Sequence, residues 1–407
     1  MLRTNTIDAS TRARLVSAHR HVAVVASLVG IMFMATTLPT PLYVIYEHAF
    51  GFSRVTLTLI YAVYVVGNLV ALLLLGRTSD IVGRRKVSLA AIAIAAVSTF
   101  LFLFAQNTIW LFWARIFNGL AIGLTAGTAT AWITELDPDQ DRSRASFITT
   151  SSNFLGLAIG SSSAGLLAEY EPWPLQLPFV VYLFVLAILV IFIAHTRETV
   201  ARSRGLDVLQ WPRLGVPAGL RAPFIAPAVT VFGAMALVGF YAALIPSILA
   251  ENLGETSHAV AGLVVGSLML IVSITIVVTR NVTSRSAMLA GLALMLPSVA
   301  LLVAAQAEGS MAVLLAGTAV SGISAALGYR GSLQVVNEIA PSDRRAEMVS
   351  TYFVAGFAGN ALPVIGVGII SSLSSPVIAS VVFAATIAVF AIAALIVAKQ
   401  HLFNSPG

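Results

Sequence analysis

The sequence predicts an all-α membrane protein, with twelve transmembrane helices in two pseudo-symmetric six-helix bundles. Three observations carry that expectation. Apolar runs of roughly 20 residues, the length that crosses a hydrocarbon core as a helix, recur along the whole chain. Basic residues fall between those runs, concentrated on alternate loops. Pieces of the first half return in the second half at a fixed offset.

Composition alone points to lipid. The chain of 407 residues is 58% apolar and only 10% charged, with a mean hydropathy of +0.94, outside the range of soluble domains. Helices are the expected spanning form because lipid offers no partner to an unpaired backbone group. The formal net charge of +6 suggests topology rather than nucleic acid, since the cations sit between apolar runs. With no cysteine, a disulfide framework, a thiol nucleophile and a cysteine-based metal site are excluded. No small-residue cleavage site precedes the first apolar run, so the first span is expected to serve as its own insertion signal.

The spans are expected at about 22–46, 55–75, 87–105, 109–134, 146–168, 176–195, 222–249, 260–279, 286–305, 311–334, 348–371 and 376–398. Twelve spans put both ends of the chain on one side. Of the 23 Lys and Arg, all but Arg54, Arg115 and Arg330 fall on that side. The positive-inside rule makes it the cytoplasm, with the protein in the cell (inner) membrane. The loops of the other side are short and carry Glu169, Glu171, Glu251, Glu255 and Glu308.

The repeat is a diverged duplication. Glu135 and Pro138 return as Glu338 and Pro341, 203 residues later, and the same offset takes Gly119 onto Gly322 and Gly156 onto Gly359. Residues 1–195 and 222–407 are therefore expected as the two bundles, with 196–221 as a cytoplasmic linker. Internal symmetry of this kind places a substrate site at the repeat interface near mid-membrane.

Between the second and third spans lies Gly76-Arg77-Thr78-Ser79-Asp80-Ile81-Val82-Gly83-Arg84-Arg85-Lys86. This loop resembles motif A of the major facilitator superfamily of secondary transporters, with Gly76, Asp80, Gly83, Arg84 and Arg85 at the motif positions. Helix count, duplication and linker extend the resemblance to the whole chain. It implies a cytoplasmic latch of the outward-facing state, in which Asp80 faces the start of the eleventh span near Met348 and Arg84 pairs with an acid at the end of the fourth. Glu135 is the candidate acid. At 279–286 the second copy keeps Arg280 and Arg285 but has Thr283 where the first has Asp80. The alternative is a loop whose charges only set topology.

Other candidates follow from their depth. Arg115 lies inside the fourth span, where a cation is costly and usually functional; followed by Gly119, it is similar to the family's motif B, which implies proton coupling. Its alternative is to snorkel outward. Arg330, deep in the tenth span, is a candidate anchor for an anion, or else a structural donor to carbonyls of broken helices. No Asp or Glu occupies the central third of any span, which leaves Glu47, beside His48, as the nearest acid to the first span's core. Thr37, Thr40 and Tyr43 flank Pro39 and Pro41, where freed carbonyls are expected. Asn118, Asn153, Tyr241 and Asn360 are further polar or aromatic candidates on the cavity helices.

Gly119 and Gly123 are expected to pack helices closely, as are Gly156, Gly160 and Gly165. The segment from Gly156 to Gly165 is similar to the antiporter motif C, with Ser161 in place of its proline.

The resemblance to the drug:proton antiporter branch implies proton-coupled efflux of a small apolar or amphipathic compound by alternating access. The alternative is transport of an anionic metabolite or sugar-like solute held by Arg115 and Arg330; a third possibility is a non-transporting membrane sensor. The expected partners are a small-molecule substrate, protons and the bilayer, acting on a monomer, with no nucleic acid. No phosphate-binding loop, Ser/His/Asp elbow or metal-ligand cluster is present in the sequence, so no enzyme activity and no cofactor are expected.

Overall fold

A computed structural model describes residues 9–200 and 214–402, and all of its regular elements are helical. The chain runs α1 (Ala9–Thr37), a 3-10 turn (Thr40–Leu42), α2 (Tyr43–Phe50), α3 (Arg54–Leu74), α4 (Thr78–Val82), α5 (Arg84–Leu103), α6 (Thr108–Leu136), α7 (Arg142–Tyr170) and α8 (Leu177–Ala194). The second half runs α9 (Arg221–Asn252), α10 (His258–Val278), α11 (Ser284–Glu308), α12 (Met311–Ile339), α13 (Arg345–Leu373) and α14 (Pro376–Leu402). Much of the expected linker, residues 201–213, lies outside the described residues.

Polar caps set many helix starts. The side chains of Ser53, Asn107, Asp141, Ser257 and Ser310 each accept a backbone N–H from the first turn of α3, α6, α7, α10 and α12. Among the described residues, eleven spans are long and apolar enough to cross a membrane. The long helix outside that set is α7, whose Ser151-Ser152-Asn153 and Ser161-Ser162-Ser163 runs dilute its apolarity, yet it has 29 residues and packs between α1 and α10. It completes the twelve.

The first expected span differs in form. It is not one helix over 22–46: α1 starts at Ala9 and stops at Thr37, and α2 restarts at Tyr43. Pro39 and Pro41 lack the N–H groups that would have bonded to the carbonyls one turn back, so the helix ends there.

Helix pairing repeats between the halves. The contacts α3–α6, α5–α6, α1–α7 and α5–α8 are matched by α10–α12, α11–α12, α9–α13 and α11–α14. Equivalent glycines sit in these seams. A Cβ on Gly119 would stand 1.9 Å from the Tyr64 carbonyl oxygen, and one on Gly322 would meet Ile271 and Leu268 of α10. Likewise Gly156 abuts the Gly30 backbone, and Gly359 the Phe232 backbone. The bundles meet along two symmetry-equivalent seams, α7 against α10 and α3 against α13.

Candidate functional site

A cavity of ≈ 410 Å³ lies at the interface of the two bundles. Its second-half wall is mainly apolar, with Val231, Met235, Val238, Met269, Phe353 and Phe357; Tyr329, Asn337 and Asn360 are the polar exceptions. The first-half wall carries Thr36, Thr37, Tyr61, Tyr64, Asn68 and Asn153. Among the described residues, no Asp, Glu, Lys, Arg or His lines it.

The cavity is open at one end. Through Gly127 and Thr130 it continues into a wider cleft bounded by Glu135, Asp137, Arg142 and Arg197, at the end of the bundles that carries the Gly76–Lys86 loop. The opposite end is closed. There Arg54 of α3 forms an ion pair with Glu251 of α9 and donates to Ser371 Oγ of α13 over 2.8 Å. Thr58 fills the space a Cβ on Gly368 would need. The backbone N–H of His258 donates to Glu169 Oε2 over 2.8 Å, joining α7 to α10.

Arg115 stands at the closed end of this cavity, fully buried on α6. Because α1 stops at Thr37, its last carbonyls have no helical partner. Arg115 Nη1 donates to one of them, the Thr36 oxygen, over 2.7 Å. Nε donates to the Tyr43 hydroxyl over 2.8 Å, and Nη2 contacts the same oxygen. The guanidinium carbon lies 5.5, 5.5 and 5.7 Å from the ring centroids of Tyr43, Tyr61 and Tyr64, within cation–π range. Both Tyr61 and Tyr64 donate their hydroxyls to Asn360 Oδ1, at 3.1 and 2.8 Å. Asn360 Nδ2 then donates to the Met235 carbonyl over 3.2 Å. A continuous polar chain thus runs from α6 through α2 and α3 to α13 and α9, across the bundle interface.

At the open end, Arg84 is the centre of a second network. Nη2 and Nε donate to the two Glu135 oxygens at 2.7 and 3.3 Å, a bidentate pair. Nη1 reaches Ser79 Oγ at 2.6 Å and Asp80 Oδ1 at 2.5 Å. Glu198 accepts the backbone N–H groups of Arg84 and Arg85 at 2.9 and 3.1 Å, capping the start of α5. Arg85 Nη1 donates to the Ala194 carbonyl. Gly83 has φ +110°, and a Cβ there would stand 2.6 Å from a Glu198 oxygen, so turn and cap both require glycine. Thr199 donates to Glu135, and Trp132 Nε1 donates to the Arg197 carbonyl. Gly76 precedes the short α4 and packs on the Leu72 carbonyl of its own turn.

Several expected placements are corrected. In this form, open at the loop end, Asp80 does not make the contact with the start of α13 expected of the outward-facing state; its ion pair is with Arg84, four residues along. Val349 and Phe353 of α13 line the open cavity, so that end of α13 borders space rather than the loop. Arg330 does not enter the cavity. Its Nη1 and Nη2 donate to the carbonyls of Arg280 and Val282 at 3.3 and 2.9 Å, so it ties down the α10–α11 loop, the second copy of the Gly76–Lys86 loop. Tyr241 is outside the cavity lining; its hydroxyl accepts from Thr318 of α12 over 3.2 Å. Glu47 lies on α2, one turn beyond Tyr43, and is likewise outside the lining.

Of the remaining candidates, Thr37 and Gly160 meet at the α1 break. Thr37 Oγ1 donates to the Leu157 carbonyl of α7 over 2.6 Å. The Thr40 hydroxyl is buried and unpartnered, as are both amide atoms of Asn118 and the Asn153 Oδ1. Gly123 packs on Ala71 and Asn68 of α3, Gly160 on Met34 of α1, and Gly165 on the His258–Gly262 turn of α10. Tyr61, Tyr64 and Glu198 were not among the sequence candidates. Two tyrosines three residues apart in mid-span, away from the interface belt, were the available signal for the first two.

The family profile of the Major Facilitator Superfamily matches residues 25–281. A protein of Rickettsia bellii named as an uncharacterized transporter is 32% identical over 114 residues, 28% of either chain. An uncharacterized MFS-type transporter of Methanocaldococcus jannaschii is 25% identical over 153 residues, 38% of either chain. The matched segments thus span less than half the length of these curated relatives. A mutant of the nucleoside transporter NupG superposes with a TM-score of 0.71 at 15% identity, covering 93% of this chain and 99% of that one. A bacterial homolog of the human lysosomal transporter Spinster, in an inward-facing and unoccupied conformation, does so with a TM-score of 0.71 at 15% identity, covering 94% and 98%. With the profile matched across more than half of its length and this fold around its cavity, the chain belongs to the Major Facilitator Superfamily.

Proposed function

We propose that this protein is a secondary active transporter that exports a small apolar or amphipathic organic compound, a drug or secondary metabolite, by alternating access. The observation that carries the proposal is the uncharged cavity, open at one end and clasped at the other. Residues 1–195 and 222–407 act as the two rocking bodies, joined by the linker 196–221. The concentration of basic residues at the open end makes it the cytoplasmic one, and the state seen is the one that loads substrate from inside. The small-residue face of α7 resembles the antiporter motif C and supports export. An anionic substrate has less support, because neither Arg115 nor Arg330 lines the cavity.

Proton antiport is the driving reaction we propose. The acids available to it lie outside the cavity lining, with Glu47 one turn from the Tyr43 that holds Arg115. The test is purified protein in liposomes, presented with a panel of neutral and anionic compounds under an imposed pH gradient. Gradient-driven movement of neutral amphipathic compounds is expected. Movement of anions alone would overturn the substrate assignment, and indifference to the gradient would overturn the coupling.

A further inference from the structure

The duplication maps the cavity wall of one bundle onto that of the other. At the offset of 203 residues, Thr130 corresponds to Leu333, Ser146 to Val349 and Leu157 to Asn360, and all six line the cavity.

One equivalence is filled on one side and bare on the other. Phe154 of α7 packs edge-on against Tyr329 of α12, across the bundle interface, with ring centroids 6.0 Å apart and planes at 80°. The same offset carries Phe154 onto Phe357 of α13, and Tyr329 onto Ala126 of α6. Phe154 therefore has a ring opposite it, while the position matching that ring in the Phe357 half carries only a methyl group. All four residues line the cavity, and among the described residues no other ring packs against Phe357.

The bare position is also reachable. Ala126 and Phe357 are each half-buried, and Gly127, next to Ala126, is exposed where the cavity meets the wider cleft. Outside its own helix, a Cβ on Gly127 would meet nothing nearer than the Gly76 carbonyl oxygen at 4.0 Å.

We propose that Phe357, Ala126 and Gly127 form an aryl subsite, in which an aromatic ring of the transported compound takes the place that the Tyr329 ring holds in the other half. This narrows the reading of the cavity as a site for neutral amphipathic compounds to those carrying an aryl group, and rests on that reading. A ring edge set against the Phe357 face gains from the opposed quadrupoles of the two rings, which a saturated ring of similar size does not. The small side chain of Ala126 and the missing one of Gly127 supply the room.

The probes are 4-phenylcyclohexanol and 4-cyclohexylcyclohexanol, a neutral pair that differs in the saturation of one ring. The saturated alcohol is the more hydrophobic, so a preference for the aryl compound does not follow from apolar burial alone. Binding is measured on purified protein in nanodiscs, with empty nanodiscs subtracted. The wild type is expected to bind the aryl compound at least threefold more tightly. In Phe357→Leu, which keeps an apolar side chain and removes the ring, the ratio should fall to about one, with the affinity for the saturated compound within twofold of the wild type. Ala126→Phe, which supplies from the protein the ring that the ligand would bring, should weaken binding of the aryl compound at least fivefold.

Equal binding of the two probes by the wild type, or tighter binding of the saturated one, would overturn the aryl subsite and leave the apolar cavity reading standing. So would an aryl preference that survives Phe357→Leu, or full affinity for the aryl compound in Ala126→Phe. Binding of neither probe would overturn the cavity reading and the subsite with it.

Discussion

Arg115 donates its Nη1 to the carbonyl oxygen of Thr36 over 2.7 Å, so a fully buried cation closes the end of a broken helix. Removing it orphans the Thr36 carbonyl and the Tyr43 hydroxyl together. Each buried group left unpaired costs about 1–3 kcal/mol. Arg115→Ala is expected to lower Tm clearly and abolish transport. Arg115→Lys places one compact ammonium where a planar fork reached two acceptors on two elements; it should restore part of the stability and little of the transport. Thermal unfolding followed by intrinsic fluorescence, paired with liposome flux, checks both.

Asn360 predicts an effect on conformational exchange. Its Oδ1 holds the hydroxyls of Tyr61 and Tyr64, and its amide holds the Met235 carbonyl, so it joins α3 of one bundle to α9 and α13 of the other. Asn360→Leu retains the volume and removes every one of these bonds. The α3–α13 seam should open more readily. Since the chain has no cysteine, Thr58→Cys is a clean reporter at that seam. Its modification by a membrane-impermeant maleimide from outside is expected to rise at least threefold in the Asn360→Leu background. An unchanged rate would mean that Asn360 does not hold the seam shut.

Much of this architecture was legible in the sequence, for physical reasons. Lipid demands a fixed length of apolar helix, so span ends such as 55–75 fall within a residue or two of α3 at Arg54–Leu74. The duplication offset was equally readable, because Gly119 and Gly322 must both be glycine where a neighbouring helix presses on them. Individual contacts were less legible. Arg330 and Arg115 look alike as cations at membrane depth, but one reaches a loop and the other a broken helix. Only the rotation of each helix about its axis separates those fates, and hydropathy does not encode it. Glu198 was hidden by its place in the linker, where an acid is unremarkable until the start of α5 is seen above it.

Arg330 yields a prediction that separates stability from binding. Its guanidinium takes the Arg280 and Val282 carbonyls and stays outside the cavity lining. Arg330→Met retains the apolar stem and leaves those carbonyls unpaired. A fall in Tm is expected, with substrate affinity within twofold of the wild type. A tenfold loss of affinity at unchanged Tm would return Arg330 to the cavity.

The loop network makes a prediction about Glu198. Its carboxylate accepts two N–H groups at the start of α5, where the helix dipole favours negative charge. Glu198→Ala removes a cap worth about 1 kcal/mol and leaves the Arg84–Glu135 pair in place. A modest drop in Tm and a change in transport rate without loss of membrane insertion are expected. Gly83→Ala should be worse than Glu198→Ala, because it forces φ +110° on an L residue and drives a Cβ against the Glu198 oxygen. If the two substitutions prove equal, the glycine serves the cap and not the turn.

The closed end supplies the last prediction. Arg54 reaches Glu251 of α9 and Ser371 of α13, so one side chain spans both bundles at the mouth opposite the open cavity. Its partner Glu251 is well exposed to solvent, so the pair adds little to overall stability. Its effect should fall on the equilibrium between inward-open and outward-open states, where about 1 kcal/mol shifts populations roughly fivefold. Glu251→Gln is expected to leave Tm unchanged and to raise labelling from outside of a single cysteine placed at Ser247. Reversing both charges, Arg54→Glu with Glu251→Arg, should return labelling toward the wild-type level, whereas either reversal alone raises it. If the double reversal labels as fast as the singles, the ion pair does not hold the mouth shut, and the closure belongs to the Thr58–Gly368 contact beneath it.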